Sequence, residues 1–577
     1  MARSTRHILA AIGLVAAVYL LTLAGLPLDG FWVVDNANKF VQVINILQNP
    51  PGDFSIHWPG RALDPAYDYG PMQMNFSAVW DGRLFSQYSP IFAWISAGPY
   101  RVLGFPGLYV LPLISSLLML AGLAALAGLL SPRKSAGVYA VLIGGLCTPV
   151  WFYSVIFWEH TLTLCLSVWA LWFGLRFVAT RAWKSLAVAC VLSALSVYFR
   201  DDQYLFCLAL AIAVAWAARP NRLKTLAVAG LTMTATMIPL WCFQYATMGT
   251  ALGFHISCTI GQETGGGPLS LSLIRNYLRL RWTVLYNLFF ASCMSVPASL
   301  LLASPFVLLL VWRPSLRARA FSAAVPLAGL LSAAAAVWVL ARFLGTPIPL
   351  VWLLKSNGLF AAAPVVLLGC FSLTPEASEE RNARWLWGVG LGYAVLYSLV
   401  APEISSTGVH WGNRFLLLLY PLLCVLAAVN LSEWFPAAGR KNLWRHGLIV
   451  LALLLSLLLQ IHSIGLLQRK AGYTALLNKE VRSRPEQVIV TDAWWAPQEM
   501  YSVMNERMIF CTSLRATWPA LSAKLQEAGV HNYLLVTPHP HAHSNVAATV
   551  VNDNGLGYFT VRLIPLSFHR EIGPDAP

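Results

Sequence analysis

The chain has 577 residues, 58% of them hydrophobic and 11% charged, with a mean hydropathy of +0.63, so much of it has to be dissolved in lipid. Its net charge of +15 does not point to nucleic acid, because the basic residues cluster in short loops between apolar segments, where they orient a membrane protein. The ten cysteines show no CxxC or Cys/His ligand spacing, and Cys147, Cys165, Cys190, Cys207, Cys370 and Cys424 fall inside apolar runs as small buried side chains, which argues against disulfides and zinc.

The N-terminal run "MARSTRHILAAIGLVAAVYLLTLAGL" begins like a signal peptide, but it is long for one and lacks a small-x-small cleavage site, so it reads as a retained first helix. A membrane crossing needs about 20 apolar residues, and about thirteen candidates meet or approach that length. They start near Ile8, Gly107, Gly137, Thr161, Leu186, Tyr204, Leu226, Tyr286, Phe321, Leu359, Leu386, Phe415 and Leu448. Basic residues recur at every second connection: Arg3/Arg6, Arg133/Lys134, Arg181/Lys184, Arg219/Arg222/Lys224, Arg313/Arg317/Arg319, Arg381/Arg384 and Arg440/Lys441/Arg445. Those loops are therefore expected in the cytoplasm, and the alternate loops outside.

The first outer loop, residues 27–106, holds "ANKFVQVINILQNP", whose Phe40, Val41, Ile44 and Leu47 recur at helical spacing and suggest a helix lying in the membrane interface. After Gln468 the composition changes, and "EQVIVTD", "RMIFCTS" and "NYLLVTP" read as short strands around the helical pattern "SLRATWPALSAKLQEAG". The expected organisation is a polytopic α-helical membrane domain over 1–467 and a small soluble α/β domain over 468–577 on the outer face. The tail's "PHPHAH", with His539, His541 and His543, lacks the rest of a metal-ligand set.

The outer loops hold the residues that can do chemistry. Asp35 stands between "FWVV" and the expected interfacial helix, where an ionisable group is costly without a role or a partner; it reads as a general base or as the helix N-cap. "AVWDGRLFSQYSPIFAWISAGPYRVLG" brings Arg83 and Tyr88, in a segment that also reads as a re-entrant stretch with solvated ends. "FWEH" supplies Glu159 and His160, and "YFRDDQ" supplies Arg200, Asp201 and Asp202, either an ion pair between spans or a site for a polar substrate or metal. Lys355 and Arg342 precede one apolar run, and His410 and Arg414 open another. They suit snorkelling anchors, and equally the fixed cations that a phosphate at headgroup depth requires.

Taken together, "DGRLFSQYSP", "FWEH", "FRDD", "YATMGTALGFHISCTIG", "KSNGLFAAAPVVLLG" and "GVHWGNRFLLLLYP", all on the outer face, resemble the GT-C integral-membrane glycosyltransferases over Leu26 to Leu431. Within that class the likeness is to bacterial relatives of the protein O-mannosyltransferases and of the aminoarabinose transferase that modifies lipid A. The resemblance implies an enzyme of a bacterial inner membrane that uses a polyprenyl-phosphate sugar on the periplasmic or outer side, with inversion at the anomeric carbon. It implies Asp35 as catalytic base; the protein O-mannosyltransferases carry Asp-Glu there, whereas Asn36 follows here, which puts a protein acceptor in doubt. Arg414 and Lys355, with Arg83 and Arg200 behind them, become candidates for the donor phosphate, and Tyr88, Glu159, His160, Asp201, Asp202, His255 and His410 for substrate contacts. The acceptor would be a glycan, lipid or protein hydroxyl. No metal or other cofactor is expected to be required, although Asp35, Glu159, Asp201 and Asp202 are a conceivable carboxylate set for a divalent cation. Two other readings remain open on sequence: a transporter or flippase of lipid-linked sugars, and a non-catalytic envelope assembly protein.

Overall fold

The N-terminal apolar run forms helix α1, Ala2–Ala24, and the first outer loop then opens with α2, Val34–Gln48. A hairpin follows, β1 (Ser77–Trp80) and β2 (Arg83–Ser86), then α3 (Ile91–Leu103) and the short α4 (Phe105–Leu108). The helical body comprises α5 (Val110–Leu130), α6 (Lys134–Leu146), α7 (Val150–Ser154), α8 (His160–Thr180), α9 (Trp183–Val197), α10 (Gln203–Ala217) and α11 (Arg222–Met248). Farther along come α12 (Leu359–Ala362), α13 (Ala377–Val400), α14 (Leu419–Ala437) and the long α15 (Leu443–Ser483). The tail contains β3 (Val488–Thr491), α16 (Ala496–Glu499), β4 (Met508–Cys511), α17 (Trp518–Glu527), β5 (Asn532–Thr537), β6 (Thr549–Val551) and β7 (Val561–Ser567). This computed structural model describes residues 2–73, 76–257, 277–279, 281, 284, 288, 358–370, 377–400, 410–437, 443–512, 518–539, 549–551 and 560–567.

Among the described residues, five helices are long and apolar enough to cross a membrane: Thr5–Ala24, Phe105–Leu130, His160–Thr180, Arg222–Met248 and Ala452–Ser483. Shorter apolar helices at Lys134–Leu146, Trp183–Val197, Gln203–Ala217 and Leu419–Glu433 lie where crossings are expected. The expected starts at Tyr286 and Phe321 lie outside the described residues. At Leu359 the structure differs from the expected single span: α12 stops before Pro364, and residues Pro364–Cys370 continue as a 3₁₀ turn. Proline has no N–H to donate and excludes the α conformation from the residue before it, which ends the helix there.

The chain divides into two compact units. The first comprises Met1–Thr22, Leu111–Pro239 and Gln262–Ile464, and is built of packed helices. Small residues let the backbones approach, as at Gly122 against Val168 and Gly174 against Trp385. Polar side chains inside it bond to backbone carbonyls: Tyr19 Oη donates to Gly145 O at 2.8 Å and Trp385 Nε1 to Ala213 O at 3.0 Å. All six cysteines expected to be small core residues are buried.

The second unit comprises Leu23–Val110, Leu240–Gly261 and Gly465–Pro577. Its sheet has the order β4-β3-β5-β7-β6, with β4, β3 and β5 parallel and β7 antiparallel to both β5 and β6. The four residues of β3 are all buried, as the continuous apolar run "VIVT" requires of a central parallel strand. The free edge of β4 is covered by the first outer loop: Cys511 N donates to Tyr69 O at 3.0 Å, Trp58 Nε1 to Ile509 O at 3.0 Å and Gln73 Nε2 to Cys511 O at 2.8 Å. An edge strand left open would template aggregation, so the loop and the tail stabilise each other.

Helix α2 forms where the helical spacing predicts it. It packs inside this unit against α3 and α16, and Asp35 through Val43 are buried. Phe40, for example, contacts Tyr100, Phe105 and Tyr501. Just before α2 the chain is clamped by α15. Lys470 Nζ donates to Glu499 Oε2 and Thr474 Oγ1, both at 2.7 Å, Thr474 Oγ1 donates to Phe31 O at 3.0 Å, and Tyr501 Oη donates to Asp29 O. Gly30 is required in this clamp, because a Cβ there would lie 1.9 Å from Ala471 O. Lys470 and Glu499 are 0% and 3% exposed, and removing one charge of such a pair leaves the other buried and unpaired, typically at a cost of about 3–5 kcal/mol. Glu499→Gln is therefore expected to lower the thermal stability of detergent-solubilised protein markedly, whereas Lys470→Met combined with Glu499→Leu should recover most of the loss; equal melting of the single and double variants would contradict this.

Candidate functional site

Candidate residues gather in two clusters, one in each unit. The cluster in the second unit is built on the first turns of α2. Val33 is the N-cap; it is extended (φ −142, ψ 165), and its N–H donates to Asn36 Oδ1 at 3.2 Å, so Asn36, in the first turn, provides the return bond of a capping box. The alternative reading of Asp35 as N-cap is thereby corrected: Asp35 lies inside the first turn, where the helix dipole favours a negative charge. It is 7% exposed, and its Oδ1 accepts from Tyr88 Oη at 2.8 Å.

Tyr88 organises the surroundings. The Lys39 ammonium lies 3.6 Å from its ring centroid, Gln42 Nε2 donates to its carbonyl at 3.0 Å, and the His255 ring stacks on it at 6.0 Å and 26°. Of the sequence candidates, Asp35, Tyr88 and His255 thus come together, and Lys39 and Gln42 join them. Lys39 was legible in principle, since it is four residues after Asp35 and hence on the same helix face. Arg83 stands apart at the hairpin tip, 45% exposed and 3.4 Å from Asp53 Oδ1.

The cluster in the first unit centres on Arg200, in the turn between α9 and α10. Its Nε donates to Asp202 Oδ1 at 2.8 Å, its Nη1 lies 2.9 Å from His160 Nε2, and Glu159 Oε1 is 3.8 Å away. A guanidinium has no acceptor, so the imidazole nitrogen facing it accepts. Burial alone would lower the Arg200 pKa, but Asp202 and Glu159 outweigh it and hold the group charged, above its usual value. Asp202 Oδ2 accepts from Tyr393 Oη at 2.9 Å and from Gln203 Nε2 at 3.2 Å.

Aromatic faces continue the cluster. His160 stacks on Tyr153 at 4.8 Å and lies 4.3 Å from Trp158, and the Arg414 guanidinium sits 5.2 Å from the centroid of Trp158 and 4.8 Å from that of Phe415. Phe415 O also lies 2.8 Å from Tyr393 Oη, which closes the ring of contacts. The backbone before Arg414 is fixed by Asn413, whose Oδ1 accepts from Phe415 N and Leu416 N, and by Gly412 at φ +60, where a Cβ would strike Pro149 and Tyr420. His410 is 3% exposed with its ring against Phe415. Asp201 is half-buried in the Arg200 turn, and Lys355 lies outside the described residues. Tyr393 escaped the sequence reading because a single tyrosine inside an apolar helix gives no local sign of the carboxylate it meets.

Chemically, the first-unit cluster is an oriented cation set with Glu159 and Asp202 as counter-ions of Arg200. Among the described residues no group of three or more His, Cys, Asp and Glu is placed to hold a metal ion. Arg414 has a planar fork suited to phosphate. The second-unit cluster presents a carboxylate steadied by one phenol.

No protein-family model and no curated protein matches the chain. Solved structures do. ArnT from Cupriavidus metallidurans bound to undecaprenyl phosphate is 11% identical with a TM-score of 0.50, over 96% of this chain and 97% of that one. The apo state of the same protein gives 11% identity and a TM-score of 0.48 over the same shares. The archaeal oligosaccharyltransferase AglB from Archaeoglobus fulgidus, in complex with an inhibitory peptide and a dolichol-phosphate, is 12% identical with a TM-score of 0.47, over 92% of this chain and 69% of that one. The resemblance read from the sequence therefore holds at the level of fold: the chain is similar in structure to ArnT, a GT-C enzyme.

Because the Val33 N–H at the start of α2 is met by Asn36, and Val33 rather than Asp35 is the N-cap, the two positions are expected to separate in stability measurements. Asn36→Ala should cost about 0.5–1.5 kcal/mol, the usual net worth of a hydrogen bond, while Asp35→Asn should melt near wild type in the same thermal scan. The reverse order of stability would restore the capping role to Asp35.

Proposed function

We propose that this protein is an inverting glycosyltransferase of a bacterial inner membrane, moving a sugar from a polyprenyl-phosphate donor to a hydroxyl of an envelope glycan, glycolipid or other acceptor on the outer face. The observation that carries the reading is Asp35: a buried carboxylate that does not cap its helix and is held by the Tyr88 hydroxyl. The fold likeness to ArnT, whose structure holds undecaprenyl phosphate, supports the lipid-linked donor. A scaffold whose Asp35 merely capped α2 does not match this arrangement, since Val33 is the N-cap and its N–H donates to Asn36.

In the proposed reaction Asp35 accepts the acceptor's hydroxyl proton as that oxygen attacks the anomeric carbon. The bond from that carbon to the phosphate oxygen breaks, and polyprenyl phosphate leaves with the electron pair, inverting the centre. General-base assistance of this kind is worth about 10²- to 10⁴-fold in rate. The leaving group is already anionic, so fixed cations serve it better than an acid does. Arg414 and Arg200 are the proposed phosphate partners in the described residues, with Lys355 a further candidate. Tyr88 keeps the Asp35 carboxylate oriented, and Lys39 and His255 steady the Tyr88 ring. No metal is assigned a role, because a donor with one phosphate can be met by arginines, and Glu159 and Asp202 are engaged with Arg200.

The test is turnover in lipid nanodiscs with a panel of polyprenyl-phosphate sugars and an envelope-glycan extract, following released polyprenyl phosphate by mass spectrometry. Wild type is expected to turn over, and Asp35→Asn to lose about 10²- to 10⁴-fold in rate while remaining folded. Full activity in Asp35→Asn would refute the assignment. Tyr88→Phe removes a hydroxyl that donates to Asp35 and is expected to lower kcat by about tenfold, with little change in donor binding. A change confined to KM would assign Tyr88 to the substrate instead.

A further inference from the structure

Helix α2 carries a polar stripe through a buried setting. At 3.6 residues per turn, Asp35, Asn38, Lys39, Gln42 and Asn45 fall within about 120° of its circumference, and all of them are buried. Phe40 faces the other way, into the aromatic contacts with Tyr100, Phe105 and Tyr501. Most of the stripe has partners. Tyr88 engages three members, through its hydroxyl to Asp35, its ring beneath Lys39 and its carbonyl to Gln42 Nε2. Asn45 donates to Val41 O at 2.8 Å and accepts from His57 N at 2.8 Å.

Asn38 is the exception. It is 0% exposed, and among the described residues neither its Oδ1 nor its Nδ2 has a hydrogen-bond partner; the Oε1 of Gln42, one turn on, has none either. A buried amide left without partners destabilises the fold, and leucine, of nearly the same size, would remove that penalty. This polar residue lies on the face of the helix that carries Asp35, one turn away.

We propose that Asn38, with the carbonyl oxygen of Gln42, binds the hydroxyls of an uncharged sugar ring beside Asp35; this rests on the glycosyltransferase reading above. A carboxamide presents one donor and one acceptor side by side, which matches two neighbouring hydroxyls, each able to give or take a proton. A cationic amino-sugar would call for a carboxylate at this position, and an acidic sugar for a free cation. The ring can belong to the donor or to the acceptor, and the two sources separate by experiment.

Equilibrium binding to protein in nanodiscs is measured for bare polyprenyl phosphate, polyprenyl-phosphate hexose and a methyl hexopyranoside, in wild type, Asn38→Leu and Asn38→Ser, the last in case leucine does not fit. Wild type is expected to bind the hexose-bearing lipid about tenfold tighter than the bare lipid, an increment equivalent to the net worth of one or two hydrogen bonds. Loss of that ratio in both variants, with bare-lipid affinity kept, supports the site and places the donor sugar in it. Loss of methyl hexopyranoside binding, with the lipid ratio kept, supports the site and places the acceptor there. Retention of both in the variants overturns the inference, and turnover by wild type in the same preparation then leaves the glycosyltransferase reading standing. Absence of binding to either lipid, together with absence of turnover, overturns both.

Discussion

A carboxylate at 7% exposure needs a hydrogen-bond donor, and for Asp35 that donor is the Tyr88 hydroxyl at 2.8 Å. Much of the second unit's local architecture follows from holding these two residues together. Tyr88 comes from the segment between β2 and α3, so the hairpin and α3 have to return to α2. Lys39 and Gln42 then use the ring and carbonyl of the same tyrosine. On the opposite side, Phe40 is locked by aromatic rings, so α2 has little freedom to rotate and move the carboxylate.

The segment entering α2 is constrained as firmly. Lys470, Thr474 and Glu499 form a closed network on Phe31 O, and Gly30 lies so close to Ala471 that no side chain fits. The tail thus does more than add a small sheet. It secures the backbone immediately ahead of Asp35, and the loop around Trp58 and Tyr69 in return covers the edge of β4. An ion pair buried this deeply adds little net stability over an apolar substitute, but it specifies one arrangement, because any misplacement leaves a charge unpaired.

The first unit solves a different electrostatic problem. Arg200 is held in a helical body, and its charge is sustained by Asp202 and Glu159, with Tyr393 fixing Asp202 in turn. Arg414 is held instead between the faces of Trp158 and Phe415.

Local pattern determined a good part of this protein. Apolar run lengths marked the helices, "VIVT", "MIFC" and "NYLLVT" marked β3, β4 and β5, and an acid set at the end of an apolar run drew attention to Asp35. These signals are carried by spacing within a few residues, which is what a sequence displays directly. Tertiary structure decided the rest. The burial of α2 depends on α3 and α16 covering it, which its own spacing does not display. Arg83, chemically as good a cation as Arg414, ends up exposed beside Asp53 because the hairpin turn carries it outward. The pairing of Tyr88 with Asp35, of Tyr393 with Asp202 and of Lys470 with Glu499 joins residues far apart in the chain, where only the packed fold determines which donor meets which acceptor.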